Sequence, residues 1–286
     1  MIGFINVYKP QEVSSAFVVG KIKKQFHLNK VGHMGTLDPL ACGILPIAIG
    51  KATRMFDYFL NKQKTYVVCA QFGYETLSLD LGTEKVAETN IIPTLEQIVS
   101  GCKMLEGDIR QIPPKFSAKN INGKKAYDLA RNGVEFELKP SNVKIFSFKC
   151  LEQTNYNTFK FEITCSSGTY VRSLIRDLAY NLNSLATVTF LERTKTDYFS
   201  KENSITLEDL LNSNLECNLI KITDTFKNIN KLEVSVEQFV KLKQGVPIET
   251  NYNNQDSVFI LNNNNLLGVA QIKDNLIKLK TYLLED

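Results

Sequence analysis

The sequence predicts an α/β (α+β) protein, with one large domain of strands and helices followed by a small all-β appendage beginning near residue 230. Three observations carry that reading. Residues 159–165 alternate, with Phe159, Phe161, Ile163 and Cys165 on one face and Lys160, Glu162 and Thr164 on the other, the pattern of a half-buried strand. After a turn at Ser166, Ser167 and Gly168, the residues Val171, Leu174, Ile175, Leu178 and Leu182 follow a helical stripe, so a strand feeds directly into a helix. Beyond a linker at residues 226–231 (FKNINK), short strand-like runs are separated by polar turns at residues 251–256 and 262–265.

The remaining elements follow in order. Residues 3–8 (GFINVY) read as a strand closed by Lys9 and Pro10, and Ser14 and Ser15 offer caps for a helix over 16–26. That helix places Phe17, Val18, Ile22 and Phe26 at helical spacing with Lys21, Lys23 and Lys24 among them. Gly32, Gly35, Pro39, Gly43 and Pro46 break the periodicity of residues 31–46 and predict a structured loop. A second helix is expected over 51–60, a central strand over the β-branched and apolar residues 65–72, and an amphipathic helix over 94–105. Ile112, Pro113 and Pro114 interrupt the chain, residues 124–132 read as a helix with Gly133 suited to its C-terminal cap, and Thr206 caps a short helix over 206–211.

Composition narrows the function. The chain is 43% hydrophobic and 22% charged, ordinary for a globular protein able to bury its own core. Pro10 arrives before a signal-peptide core can form, and the apolar run 44–49 is too short to span a bilayer, so a cytoplasmic protein is expected. Six cysteines without a CxxC pair read as reduced, mostly buried thiols, and two histidines without an HExxH pattern argue against a zinc site. Residues 1–64 hold nine Lys and Arg against three acids, whereas the whole chain carries +4. Such a basic segment in a near-neutral chain suits a polyanion-binding face, although a solvated lysine-rich helix would look the same.

The segment with the most unusual character is residues 32–46 (GHMGTLDPLACGILP). Pro39 pushes Asp38 out of the helical region, so its carboxylate projects from extended backbone. Asp-Pro turns without any chemistry are common, and the segment by itself leaves the role of Asp38 open.

This segment resembles the catalytic motif of the bacterial TruB family of tRNA pseudouridine synthases, a pattern of the form GHxGxLDPxAxGxLP. Further blocks match in the same order: Lys64, Thr65 and Tyr66, then residues 112–131 (IPPKFSAKNINGKKAYDLAR), then residues 165–174 (CSSGTYVRSL). The C-terminal part is similar to a PUA domain. The resemblance implies a pseudouridine synthase fold, with a mixed, mainly antiparallel sheet flanked by helices over residues 1–229. It also implies an RNA-binding insertion around 108–140 and a PUA-like RNA-binding domain over 230–286. The implied reaction converts uridine to pseudouridine at position 55 of the tRNA T loop. An aspartate-dependent cleavage of C1′–N1 is followed by rotation of the base and rejoining through C5, on a nucleotide flipped out of its stack. Nothing is oxidised and nothing is added, so no cofactor or metal is required. The implied partner is the T arm of tRNA, with no membrane, no obligate protein partner and a monomeric enzyme.

By the same resemblance, Asp38 is the catalytic carboxylate and Arg172 the guanidinium paired with it. Tyr66 packs on the target base, Tyr170 is a further base-pocket residue, Leu191 an apolar wall, and His33 lies under the displaced base. Lys21, Lys24, Lys64, Lys119, Lys124, Lys125 and Arg131 would track the RNA backbone. Three departures stand out. Glu12 occupies a position where the family's KPxGxTS motif usually has glycine. Asn120 replaces a lysine, with Lys119 one place earlier. Leu77 replaces an aspartate, while Asp80 remains. The alternatives are a protein that binds or folds RNA on the same basic face without any base change, and a guide-RNA-dependent synthase within a multi-protein particle.

Overall fold

The computed structural model describes residues 1–59 and 62–284. Strand β1 (Gly3–Lys9) leads to helix α1 (Ser15–Gln25), whose N-terminus is capped by the Ser14 side chain accepting from the Phe17 N–H. Only Val18 and Ile22 of its expected stripe are wholly buried, and Phe17 lies in solvent beneath the Lys21 ammonium.

The expected loop at 31–46 is corrected by the structure. Strand β2 (Val31–His33) and strand β3 (Cys42–Ile49) occupy its two ends, every residue of β3 is buried, and irregular backbone is confined to 34–41. The glycine and proline signals have other causes here. Gly43, at φ 104°, crosses the strand that contains Arg193 so closely that a side chain would collide with the Arg193 carbonyl. Pro46 donates nothing, but its carbonyl accepts the Met34 N–H at 2.8 Å.

The helix expected at 51–60 is a 3-10 helix over Gly50–Phe59, and its last expected residue, Leu60, lies outside the described residues. Strand β4 (Lys64–Phe72) follows, turning Tyr66, Val68, Ala70 and Phe72 into the core. Helix α2 (Leu95–Met104) opens with a capping box between Thr94 and Gln97. The helix expected at 124–132 shortens to α3 (Ala126–Arg131). Lys124 and Lys125 instead pair with Asn120 and Ile121, and Gly133 takes the left-handed conformation just past the helix end. Helix α4 (Val171–Asn181) follows the alternating strand Thr158–Cys165 as expected.

The main sheet runs Ile205–Thr206, β1, β3, Ala186–Thr196, β4, Thr158–Cys165, Ser141–Asn155, Gly107–Gln111. It is mixed and mainly antiparallel, with parallel pairing of β1 to Ile205–Thr206 and of β3 to Ala186–Thr196. Its inner face packs Val68, Phe159, Phe161 and Ile163 against Leu174, Ile175 and Leu178 of α4 and Ile22 of α1.

The C-terminal part forms a second, five-stranded sheet in the order Asn230–Glu233, Gln255–Asn262, Asn265–Lys273, Leu276–Tyr282, Ile248–Glu249. Asn263 and Asn264 both have positive φ and close a two-residue hairpin at the turn expected there. The all-β expectation needs correcting, because Val236–Lys243 is helical, opened by a capping box between Ser235 and Gln238. The expected linker is also partly core. Phe226 is 3% exposed and meets Phe59 and Phe4 edge to face, in a cluster that Phe259, Leu261, Val269 and Leu283 complete from the second sheet. Of the cysteines, Cys42, Cys102 and Cys165 are buried, Cys69 and Cys150 half-buried, and Cys217 exposed, all as free thiols. Among the described residues no helix is long and apolar enough to cross a membrane.

Glu12 keeps the backbone that glycine would favour, with φ 65°, although it is exposed and carries a Cβ. A left-handed residue with a side chain costs about 1–2 kcal/mol. Replacing it, as in Glu12→Gly, is therefore expected to raise stability by about 1 kcal/mol after glycine's own entropy loss. The check is an increased denaturant midpoint with an unchanged slope.

Candidate active site

Asp38 stands on the 34–41 segment, which is held from beneath by two buried cations. Arg193, 1% exposed, donates from Nε to the Ile44 carbonyl at 2.7 Å, from Nη2 to Gly35 at 3.0 Å and from Nη1 to Thr36 at 3.4 Å. Lys9, fully buried, donates from Nζ to the carbonyls of Pro10 at 2.8 Å, Val13 at 2.7 Å and Pro39 at 3.3 Å. Burial pushes the Lys9 ammonium down to about 8. The buried Ser15 hydroxyl adds a clamp, accepting the Leu37 N–H at 2.9 Å and lying 3.1 Å from the Leu37 carbonyl. The backbone on either side of Asp38 is thus fixed by side chains from α1, β1 and the strand Ala186–Thr196.

Arg172 is the second residue of α4 and is 4% exposed. Its Nη2 lies 2.8 Å from Asp38 Oδ2, and its Nη1 lies 3.2 Å from Asp80 Oδ2. The same guanidinium donates to the Ser78 carbonyl at 2.7 Å and to the Phe116 carbonyl at 2.9 Å. One buried cation therefore bridges two carboxylates and two backbone segments. Such a planar fork can be rigid in a way a lysine cannot. Asp38 keeps 35% of its side chain exposed, against 14% for Asp80, so Asp38 is the more open of the two carboxylates.

Asp38, Tyr66, Tyr170, Arg172 and Leu191 line one cavity of about 260 Å³, together with Lys64 and Lys119. Its size is close to the lower end of small-ligand pockets, roughly 300 Å³. Tyr66 lies opposite Ile163 on one neighbouring strand and Arg193 on the other, and burial pushes its phenol up to about 12, so the ring stays neutral. The Tyr170 phenol is also raised by burial. A second cavity of about 220 Å³ lies across the Asp38–Arg172 pair, lined by Gln11, Glu12, Leu40, Asp80, Leu81 and Leu191 among others.

His33 does not line the cavity that Asp38 and Arg172 share. It ends β2, half-buried, with Nδ1 buried and unpartnered, and burial together with Arg193 lowers its pKa, leaving a neutral ring. The basic residues divide in the same way. Lys64 and Lys119 reach the cavity, whereas Lys21, Lys24, Lys124 and Arg131 are exposed on the surface and Lys125 is half-buried in the short ladder. Among the described residues no group of His, Cys, Asp and Glu is arranged to hold a metal ion.

Lys64 donates from Nζ to Ser167 Oγ at 3.1 Å, and burial, with Arg193 nearby, pushes it down to about 8. It is charged below that pH and neutral above it. If it contacts a phosphate, affinity for tRNA falls about tenfold between pH 7 and pH 9. Filter binding across that range checks this, and Lys64→Arg should flatten the profile. An equal fall in Lys64→Arg would assign the titration to another group.

Sequence reasoning missed Arg193, Lys9 as a clamp, and Asp80 as the second partner of Arg172. Nothing in the run LERTKT marks Arg193 as buried, since its partners are carbonyls about 150 residues earlier in the chain. Asp80 carried a visible signal as the acid retained where Leu77 had replaced another.

Residues 23–171 match the family model described as TruB family pseudouridylate synthase (N terminal domain). The chain is 40% identical over 277 residues to the tRNA pseudouridine synthase B of Rickettsia bellii (strain OSU 85-389), covering 95% of this chain and 94% of that one. It is 38% identical over 290 residues to the tRNA pseudouridine synthase B of Ehrlichia ruminantium (strain Gardel), covering 97% and 98%. In fold it is similar to a solved Cbf5-Nop10-Gar1 complex, with a TM-score of 0.75 at 22% identity over 99% of this chain and 85% of that chain. A motif aspartate on a clamped loop, an arginine that reaches it from a distant helix, and relatives matched nearly end to end lead to one assignment: the chain belongs to the TruB family of pseudouridylate synthases and is an isomerase.

Proposed function

We propose that this protein isomerises uridine to pseudouridine at position 55 in the T loop of tRNA, with Asp38 as the reacting carboxylate. The observation that carries the reading is the 2.8 Å ion pair between Arg172 and Asp38 at the wall of a cavity shared with Tyr66, Tyr170 and Leu191. Arg172 engages Oδ2, so Asp38 keeps a second oxygen for the ribose. That oxygen can attack C1′ or take a ribose proton, and either route breaks the N1–C1′ bond. The freed uracil turns within the pocket, C5 bonds to C1′, and the proton lost from C5 is balanced by one gained at N1. Tyr66, neutral at every working pH, offers a flat face for the base, Leu191 and Tyr170 limit where it can turn, and Arg172 holds the carboxylate still.

A base reaches this cavity only when flipped out of the T loop. His33, at the end of β2 with its ring kept neutral by burial, fills the gap it leaves. Lys64 and Lys119 take phosphates at the cavity mouth. Lys21, Lys24, Lys124, Lys125 and Arg131 extend the basic track, through the insertion at 108–140. Residues 230–286 add a PUA-like RNA-binding unit to the catalytic residues 1–229. The enzyme works as a monomer on bare tRNA in the cytoplasm, without a guide RNA. The test is to incubate an unmodified tRNA transcript with the purified protein, digest it and assay position 55. Pseudouridine there supports the reading, and binding without product would leave an RNA-binding protein only.

A further inference from the structure

Gln111 ends the strand Gly107–Gln111 and is fully buried. Both ends of its side-chain amide are engaged by a single residue. Nε2 donates to the Tyr170 carbonyl at 3.1 Å, and the Tyr170 N–H donates to Oε1 at 2.8 Å. This is the reciprocal pairing that a neighbouring β-strand would provide, delivered by a side chain. Tyr170 is the N-cap of α4 and makes no side-chain cap of its own; the Leu174 N–H closes the first turn on the Tyr170 carbonyl at 3.1 Å, and Gln111 supplies a tie from outside the helix. Two further bonds bind the same stretch of chain to the helix. Arg172 Nη2 donates to the Phe116 carbonyl at 2.9 Å, and Arg176 Nη2 to the Ile112 carbonyl at 3.1 Å.

We propose that Gln111 is a positioning residue for the reaction. It sets the peptide planes of Tyr170, and through them the direction in which Arg172 leaves α4 to meet Asp38 and Asp80. Seating of residues 111–116, which open the RNA-binding insertion, thereby becomes a condition for an assembled carboxylate–guanidinium–carboxylate set. This rests on the reading that the Asp38–Arg172 pair does the chemistry. The chemistry of the side chain supports it. A donor and an acceptor must sit side by side at the end of a three-atom reach, which glutamine supplies. Methionine has the length with neither group, and an ionised glutamate accepts but cannot donate.

The test uses the full-length protein. Gln111→Met keeps volume and burial while removing both bonds, and Gln111→Glu retains an acceptor for the Tyr170 N–H, which keeps the test open should the first variant fold poorly. In single-turnover assays each is expected to slow pseudouridine formation by about 30- to 100-fold, the scale of an ångström-sized misplacement, with tRNA affinity kept within about threefold. In an Arg172→Lys background the further loss should shrink below about threefold, because the fork that Gln111 aims is already gone. Equal losses in both backgrounds, turnover kept near that of the parent, or tRNA binding and turnover falling together would each overturn the proposal. If the parent enzyme itself makes no pseudouridine, the reading of the reaction fails instead. The guanidinium NMR resonances of Arg172 then decide the positioning claim, shifting in Gln111→Met if it holds and staying in place if it does not.

Discussion

Asp38→Ala is expected to remove turnover, by more than about 10⁴-fold, while leaving affinity for tRNA within about threefold of the parent. The split follows from where the residue sits. Asp38 contributes one carboxylate to a cavity whose walls are built by Tyr66, Tyr170, Leu191, Lys64 and Lys119, and none of those depends on its side chain for support. The 34–41 backbone is held by Arg193, Lys9 and Ser15, so truncation of Asp38 leaves the loop clamped. Arg172 retains Asp80, Ser78 and Phe116 as partners and stays in place. What disappears is the oxygen proposed to react with ribose. Asp38→Asn should fail as completely, because an amide of the same shape can neither form the covalent intermediate nor take a proton. Single-turnover assays paired with filter binding read both quantities. Turnover by Asp38→Ala within a hundredfold of the parent would remove this residue from the chemistry.

Arg193→Met should cost stability and activity together. Among the described residues the side chain has no carboxylate partner, and its donors serve the carbonyls of Gly35, Thr36 and Ile44. Removing it leaves buried acceptors unpaired at about 1–3 kcal/mol each, partly offset because a desolvated charge is also removed. A net loss of about 2–4 kcal/mol is expected on those grounds, seen as a lower denaturant midpoint. Turnover should fall by a further factor of about 10² at temperatures where the variant is fully folded, since Asp38 then rides on a loosened segment. Arg193→Lys should rescue little, because a point charge cannot hold three carbonyls in a fixed fork. A variant that loses stability but keeps the parent turnover when folded would show that the clamp supports the fold alone.

Local pattern made much of this protein legible. The alternation at 159–165 and the stripe at 171–182 rest on short-range periodicity, and Phe159, Phe161, Leu174 and Leu178 are all fully buried where that pattern put them. Asp38, Tyr66, Tyr170, Arg172 and Leu191 stand in or beside motifs that are visible in the sequence, and they line one cavity. Glycine and proline misled at 31–46, where Gly43 marks a close strand crossing and Pro46 sits within a buried strand. A backbone constraint reads the same in a sequence whether a turn or a sheet neighbour imposes it.

The sequence by itself determined most of the order of the elements, the motif aspartate and the family, because each is encoded by residues close together or by ordered motifs. Only the tertiary structure decided that Arg193 and Lys9 are buried cations whose partners are carbonyls, that Arg172 bridges Asp38 and Asp80, and that Phe226 belongs to a core shared with the second sheet. It also showed that His33 lies outside the cavity lined by Asp38. The physical reason is common to all of these. A long polar or aromatic side chain has the same identity on the surface and in the interior, and its burial depends on which distant backbone groups the fold brings within reach.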